Sequence, residues 1–193
     1  MIVRPGLVFI VAWVAWGVSW LVAALWSGRT ERRVAMGEAV LYRAPVLAGA
    51  VLLFHRISAR LGARPLWHVG VGGAYALALF AIAGFLFTWW ARLHIGRLWS
   101  SAVTRKEGHY VVDTGPYALV RHPIYTGLIA ATFCTAVVEA TVPALAGFVL
   151  IAAGLWVKAR IEERFLAAEL GADAYGAYRR RVPMLIPFGP TGG

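Results

Sequence analysis

Within seventeen residues of the stretch GHYVVDTGPYALVRHPIYTG, at 108–127, fall His109, Tyr110, Asp113, Tyr117, Arg121, His122 and Tyr125. Ionisable and aromatic groups that can donate, accept or orient hydrogen bonds converge there, a set suited to holding a polar small molecule. A purely structural account makes Gly115-Pro116 a turn, puts Pro123 in the first turn of a helix and treats the flanking charges as headgroup anchors. Nothing structural requires Arg, His and two Tyr on one short approach. Further along, Arg160, Glu162, Glu163 and Arg164 form a second charged group, which by itself reads as a self-compensating cluster at a membrane interface.

The elements that must position these groups are membrane helices. Hydrophobic residues make up 60% of the 193-residue chain and charged residues only 15%, so the chain could not cover its surface in water. A net charge of +10 would point to nucleic acid in a soluble domain. Here the basic residues sit between apolar runs, where they set orientation and meet anionic lipid headgroups, which argues against a nucleic-acid partner. The single Cys134 lies in an apolar run; it excludes a disulfide framework and a CxxC metal or redox motif, and no metal site is expected.

Residues 6–26 carry no charge over 21 positions, enough to cross a hydrocarbon core of about 30 Å at about 1.5 Å per residue. The run exceeds the apolar core of a signal peptide and lacks a small-x-small cleavage pattern. Further spans are expected at 40–57, with Pro45 in its first turn or kinking it, at 67–91, at 123–138 and at 143–158. GVGGAY at 70–75 fails as a dinucleotide loop because Tyr75 takes the third glycine position and no strand precedes it; close helix packing is the better account. The polar segment 92–122 is expected to fold against the bilayer surface. The tail from Lys158 reads as an amphipathic extension of the fifth helix followed by a loop returning along the interface.

The fold class is thus all-α integral membrane, with five transmembrane helices: a three-helix part at 1–91, and a region at 92–193 made of interfacial segment, helical hairpin and tail, forming one integrated domain. If the C-terminus is cytoplasmic, the loop 27–43, the segment 92–122 and the tail hold 4, 5 and 6 Lys or Arg on the inner side, against four outside. That asymmetry places the N-terminus outside and the C-terminus in the cytoplasm. In the hairpin of the fourth and fifth helices, the start of one lies level with the end of the other, so Arg121, His122 and Tyr125 can face Glu162 or Glu163.

As it stands, GPYxxVRHPxYxG resembles the signature of the isoprenylcysteine carboxyl methyltransferases and related membrane phospholipid methyltransferases. The likeness extends to LHIGRLWS at 93–100, KEGHYVV at 106–112, the Glu162-Glu163 pair before Gly171, Tyr175 and Tyr178, and Arg181-Val182-Pro183. It covers roughly 93–187, and GADAY holds one residue more between glycine and tyrosine than the family spacing.

The resemblance implies S-adenosylmethionine as cofactor, held in a cytoplasmic C-terminal region by His109, Val112, Gly115, Tyr117, His122, Pro123, Tyr125, Glu162 and Glu163, with Arg121 and Glu163 catalytic. It implies a lipophilic or prenylated acceptor entering from the bilayer, foremost the carboxylate of an isoprenylated cysteine. Holding an acceptor about 3–3.5 Å from an activated methyl and in line with it is a positioning task that can lower a barrier by about 7–11 kcal/mol. Arg121 suits orientation of a carboxylate through its planar fork, or else pairs with a Glu across the hairpin. Two other enzyme readings stand beside this one: a phospholipid amine N-methyltransferase and a nicotinamide-dependent isoprenoid or sterol reductase. A transporter would show ionisable residues or broken helices at mid-bilayer depth, and the first, fourth and fifth spans carry none.

Overall fold

The computed structural model of the chain describes residues 4–26, 30–33, 36–54, 62–99, 104–106, 111–170 and 172–191. Among them run six α-helices: α1 (Pro5–Ala24), α2 (Met36–Leu53), α3 (Val71–Ile95), α4 (Pro123–Glu139), α5 (Val142–Leu170) and α6 (Ala172–Arg181). Two short strands, β1 (Thr30–Arg33) and β2 (Thr104–Lys106), pair antiparallel. Helices α1, α2, α3 and α5 are each long and apolar enough to cross a membrane, which makes this a multi-pass helical membrane fold. The fourth expected span, α4, has 17 residues and reaches about 25 Å, the short end of the crossing range.

Helix α2 packs along α5, and α3 along α4. In lipid there is little hydrophobic gain from bringing helices together, so contact depends on backbones that can approach closely. A Cβ on Gly84 would lie 2.7 Å from the Gly127 carbonyl oxygen, and one on Gly147 would lie 2.7 Å from that of Gly49. Gly70 and Gly72 of GVGGAY face open space; the close approach expected there occurs a few turns later, at Gly84. Helix α1 is tied on by indole hydrogen bonds instead. Trp16 Nε1 donates to Thr88 Oγ1 at 2.8 Å, Trp13 Nε1 to Thr135 Oγ1 at 3.0 Å and Trp89 Nε1 to Ser19 Oγ at 3.2 Å.

At the end of α3 the guanidinium of Arg92, fully buried, donates to the carbonyls of Gly96 (2.6 Å), Ala23 (2.7 Å) and Trp26, between the rings of Trp26 and Trp99. It ties the C-terminal turn of α1 to that of α3, adding a charged donor to carbonyls at both helix ends. The β1–β2 ribbon joins the 27–43 loop to the 92–122 segment, so both lie at one end of the bundle. Neither strand was expected, since a pairing between residues seventy apart leaves no local trace.

Two spans are displaced from the sequence reading at both ends: α2 runs Met36–Leu53 where 40–57 was expected, with Pro45 well inside it, and α3 runs Val71–Ile95 where 67–91 was expected. The tail differs more. Beyond α5 the chain forms α6 where a loop was expected, because Tyr175, Tyr178 and Val182 recur at helical spacing and are all buried, while Arg179–Arg181 sit in the last turn, where cations complement the helix dipole. The segment after α6 then runs back along the start of α4. Arg121 N–H donates to Pro183 O at 2.9 Å, His122 N–H to Met184 O at 3.1 Å and Thr126 Oγ1 to Leu185 O at 2.6 Å.

Candidate active site

The approach to α4 is built by a 3₁₀ turn at Gly115–Ala118. Gly115 adopts φ +57°, and a Cβ there would lie 2.7 Å from the His94 ring, so two constraints exclude a side chain. His94 Nε2 meets Thr114 Oγ1 at 2.9 Å and the ring stacks beside Tyr117. Tyr117 is buried, and its carbonyl accepts from the Tyr178 hydroxyl at 2.7 Å. Pro123 then opens α4, where its missing N–H costs nothing.

Helices α4 and α5 reverse through Ala140 and Thr141, with Ala140 in the left-handed region at φ 53° and Thr141 Oγ1 accepting from Ala144 N–H. The reversal sets the start of α4 against the far part of α5. There the Tyr125 hydroxyl lies 2.7 Å from both oxygens of Glu162. His122 bridges the two carboxylates, Nδ1 at 3.5 Å from Glu162 Oε2 and Nε2 at 3.3 Å from Glu163 Oε1, and its ring stacks on Tyr125 with centroids 5.3 Å apart. Arg121 Nε donates to Glu163 Oε1 at 2.6 Å; its Nη1 donates to Arg179 O at 2.9 Å and to Val182 O. Arg179 Nε closes the ring at 3.4 Å from Glu163 Oε2.

Burial separates the two acids. The Glu163 side chain is 3% exposed and enclosed by cations, whereas Glu162 is 18% exposed. Burial disfavours a charged imidazole, yet hydrogen bonds from His122 to both carboxylates, and their charges, outweigh it and raise the His122 pKa. Burial holds the Tyr117 and Tyr178 phenols far above their ordinary value, so both stay neutral and Tyr178 keeps the proton it donates to the Tyr117 carbonyl.

Of the residues singled out from the sequence, Arg121, His122, Tyr125, Glu162 and Glu163 form one cluster. Val112 packs on the core that holds Tyr117 and Tyr125, Pro123 is buried at the first position of α4 and Gly115 lies against the His94 ring. His109 and Tyr110 lie outside the described residues. Asp113 pairs with Arg181 at an exposed position, 3.1 Å apart, and Arg164 reaches Glu38 at 3.6 Å, away from the cluster. Lys158 and Tyr42 were not singled out. Lys158 Nζ lies 3.9 Å from Glu162 Oε1, a spacing of four on one helix that the sequence displays. Tyr42 comes from α2 and carries no such signal.

Comparison with known proteins shows what the sequence of this region is similar to. Residues 76–168 match the profile of the isoprenylcysteine carboxyl methyltransferase family. Over 76 residues, 37% of the chain, it is 45% identical to methanethiol S-methyltransferase 2 of Bradyrhizobium diazoefficiens and 41% identical to methanethiol S-methyltransferase of Mycobacterium tuberculosis. Over 98 residues, 48% of the chain, it is 30% identical to the cobalt-zinc-cadmium resistance protein CzcN of Cupriavidus metallidurans. The matched stretches span 26%, 28% and 43% of those three proteins respectively. The stretch from α3 through most of α5, which carries the Gly115–Gly127 motif and the Glu162-Glu163 pair, is thus the part of the chain that is similar to the isoprenylcysteine carboxyl methyltransferase family.

Proposed function

We propose that this protein is an S-adenosylmethionine-dependent methyltransferase that holds its cofactor where α4 begins and α5 ends and takes its acceptor from the bilayer. The observation that carries the reading is the His122–Tyr125–Glu162 group, which lies within the family-matching residues and leaves one carboxylate partly accessible beside a fully enclosed one.

The donor set fits the cofactor. Glu162 can accept hydrogen bonds from a ribose diol or an ammonium, with Tyr125 and His122 fixing its orientation; the same reading assigns Val112, Gly115, Tyr117 and Pro123 to the cofactor, and His109 by its place in the sequence motif alone. When bound, S-adenosylmethionine supplies a methyl group already activated by its sulfonium. Glu163 and Arg121 serve the site in a different way: with Nε and Nη1 engaged by Glu163 and two main-chain carbonyls, Arg121 has the geometry of the cross-hairpin pairing and ties the C-terminal segment under the site.

Helices α1 to α5 all cross the bilayer in this reading, N-terminus outside and C-terminus cytoplasmic, so the cofactor arrives from the cytosol. The acceptor is an isoprenylated cysteine carboxylate, as the family description suggests. A thiol acceptor is the second reading, favoured by the two relatives named for methanethiol. Isothermal titration with S-adenosylhomocysteine and with NADPH tests the class. Binding of the former supports methyl transfer; binding of NADPH alone returns the chain to the reductase reading. Methyl transfer to N-acetyl-S-farnesylcysteine, to an alkanethiol and to phosphatidylethanolamine then separates the acceptors.

A further inference from the structure

With Nε and Nη1 of Arg121 engaged, the acceptor's side of the site needs another cation. Lys158 is only 11% exposed at its side chain, and its ammonium lies 3.9 Å from Glu162 Oε1. It sits 5.0 Å from the centroid of the Tyr125 ring and 5.6 Å from that of Tyr42. Tyr42, 3% exposed, has a buried hydroxyl with no hydrogen-bond partner among the described residues. A buried donor in that state is destabilising to the protein by itself, and such groups occur where a ligand completes them. Its placement is specific. A Cβ on Gly154, one turn before Lys158, would lie 2.9 Å from the Tyr42 carbonyl oxygen, so the glycine lets α2 come close enough to bring Tyr42 to the lysine.

The geometry points to Lys158 and Tyr42 as the pair that binds the methyl acceptor, and to an anionic acceptor, a carboxylate or thiolate. The ammonium offsets the acceptor's charge and the phenol donates a hydrogen bond to its oxygen or sulfur, beside a cofactor held by Glu162. This assignment rests on the methyltransferase reading. A lone pair of the anion forms the new bond to the methyl carbon, the bond from that carbon to the sulfonium sulfur breaks, and its electrons leave with the neutral thioether. A carboxylate is already ionised at neutral pH and has no proton to lose; a thiol releases its proton to bulk water before it binds as thiolate, so the methyl-transfer step itself needs no general base. A neutral amine gains nothing from a cation at this place. Tyr42 lies outside residues 76–168, so acceptor choice is set partly by a helix that the family profile does not cover.

The test uses the full chain in lipid nanodiscs, as wild type, Tyr42→Phe, Lys158→Met and Lys158→Arg. Tyr42→Phe keeps the ring and removes only the hydroxyl. Titration with S-adenosylhomocysteine reads the cofactor side; titration with N-acetyl-S-farnesylcysteine or dodecanethiol in its saturating presence reads the acceptor side without turnover. Tyr42→Phe is expected to weaken one of those two acceptors by roughly ten- to a hundredfold, the scale of a hydrogen bond to a charged group, and to raise its KM alike. Affinity for S-adenosylhomocysteine stays within about twofold, a small fraction of a kcal/mol-scale effect. Lys158→Met shows at least the same acceptor loss, and Lys158→Arg recovers part of it. Whichever probe responds identifies carboxylate or thiolate. Unchanged affinity for both probes in Tyr42→Phe, with cofactor binding intact, overturns the assignment while leaving the methyltransferase reading in place. Methyl transfer by wild type to phosphatidylethanolamine alone overturns the anionic acceptor. Failure of wild type to bind S-adenosylhomocysteine overturns the methyltransferase reading and this assignment with it.

Discussion

Arg121 Nε donates to Glu163 Oε1 across 2.6 Å, with each side chain 3% exposed, and so joins the start of α4 to the far part of α5. The same guanidinium reaches the carbonyls of Arg179 and Val182. One planar group therefore holds three segments that are distant in sequence, and the site depends on that tie before any ligand arrives.

Arg121→Lys keeps the charge but cannot span Glu163 and two carbonyls at once. The loss of hydrogen bonds between a charged donor and buried acceptors, each worth about 1.5–3 kcal/mol, is expected to lower the melting temperature and to weaken S-adenosylhomocysteine binding and turnover together. Differential scanning fluorimetry beside titration reads both. A variant with unchanged melting and cofactor affinity but lost turnover would return Arg121 to the role of orienting the acceptor.

Glu162→Gln and Glu163→Gln should separate binding from stability. Glu162 is the more accessible acid, so its amide variant is expected to lose about 1.5–3 kcal/mol of cofactor affinity, the value of a charge-assisted hydrogen bond, with modest change in melting. Glu163 is enclosed by Arg121, His122 and Arg179, and neutralising it leaves buried cations uncompensated. Its variant should lose several kcal/mol of stability, on the order of the 3–5 kcal/mol of a broken buried pair. Equal effects of the two variants on both measurements would refute the division.

His122 carries a pH signature. Its folded-state pKa is raised, so the folded protein holds this proton more tightly than the unfolded chain does. The contribution to stability is fully present below the unfolded value of about 6.5 and is lost as pH rises through the higher folded value. The melting-temperature advantage of wild type over His122→Gln should therefore shrink from pH 6 toward alkaline pH, about the range in which histidine switches. An advantage that grows with pH contradicts the bridge between the carboxylates.

Topology is tested by reporters. Fusions after Gly193 and within the 56–65 connector should report opposite sides of the membrane, because α3, α4 and α5 separate them. Identical signals would remove one crossing, and α4, the shortest of the apolar helices, is the one at issue.

The spans are legible in the sequence because a chargeless run of about twenty residues has few alternatives in a bilayer, and the observed helices fall where the apolar runs lie. The motif is legible too. Its residue types within 115–127, and a hairpin just long enough to return to the same depth, brought Arg121, His122 and Tyr125 to Glu162 and Glu163 as the pattern required. The division of labour between the two acids was not legible, since adjacent identical residues differ only in what surrounds them: 100° of helical rotation turns Glu163 into the Arg121–Arg179 cage and leaves Glu162 toward Tyr125 and Lys158. Nor could the sequence show that Arg121 is engaged beyond a cross-hairpin Glu, because its other partners are backbone carbonyls of residues 179 and 182, which no side-chain pattern announces. The same holds for α6, the β1–β2 ribbon and Tyr42. Local periodicity determines which segments are helical and apolar; which polar atoms meet is decided by how those helices cross, and here by glycines that let α2 lie against α5 and α3 against α4.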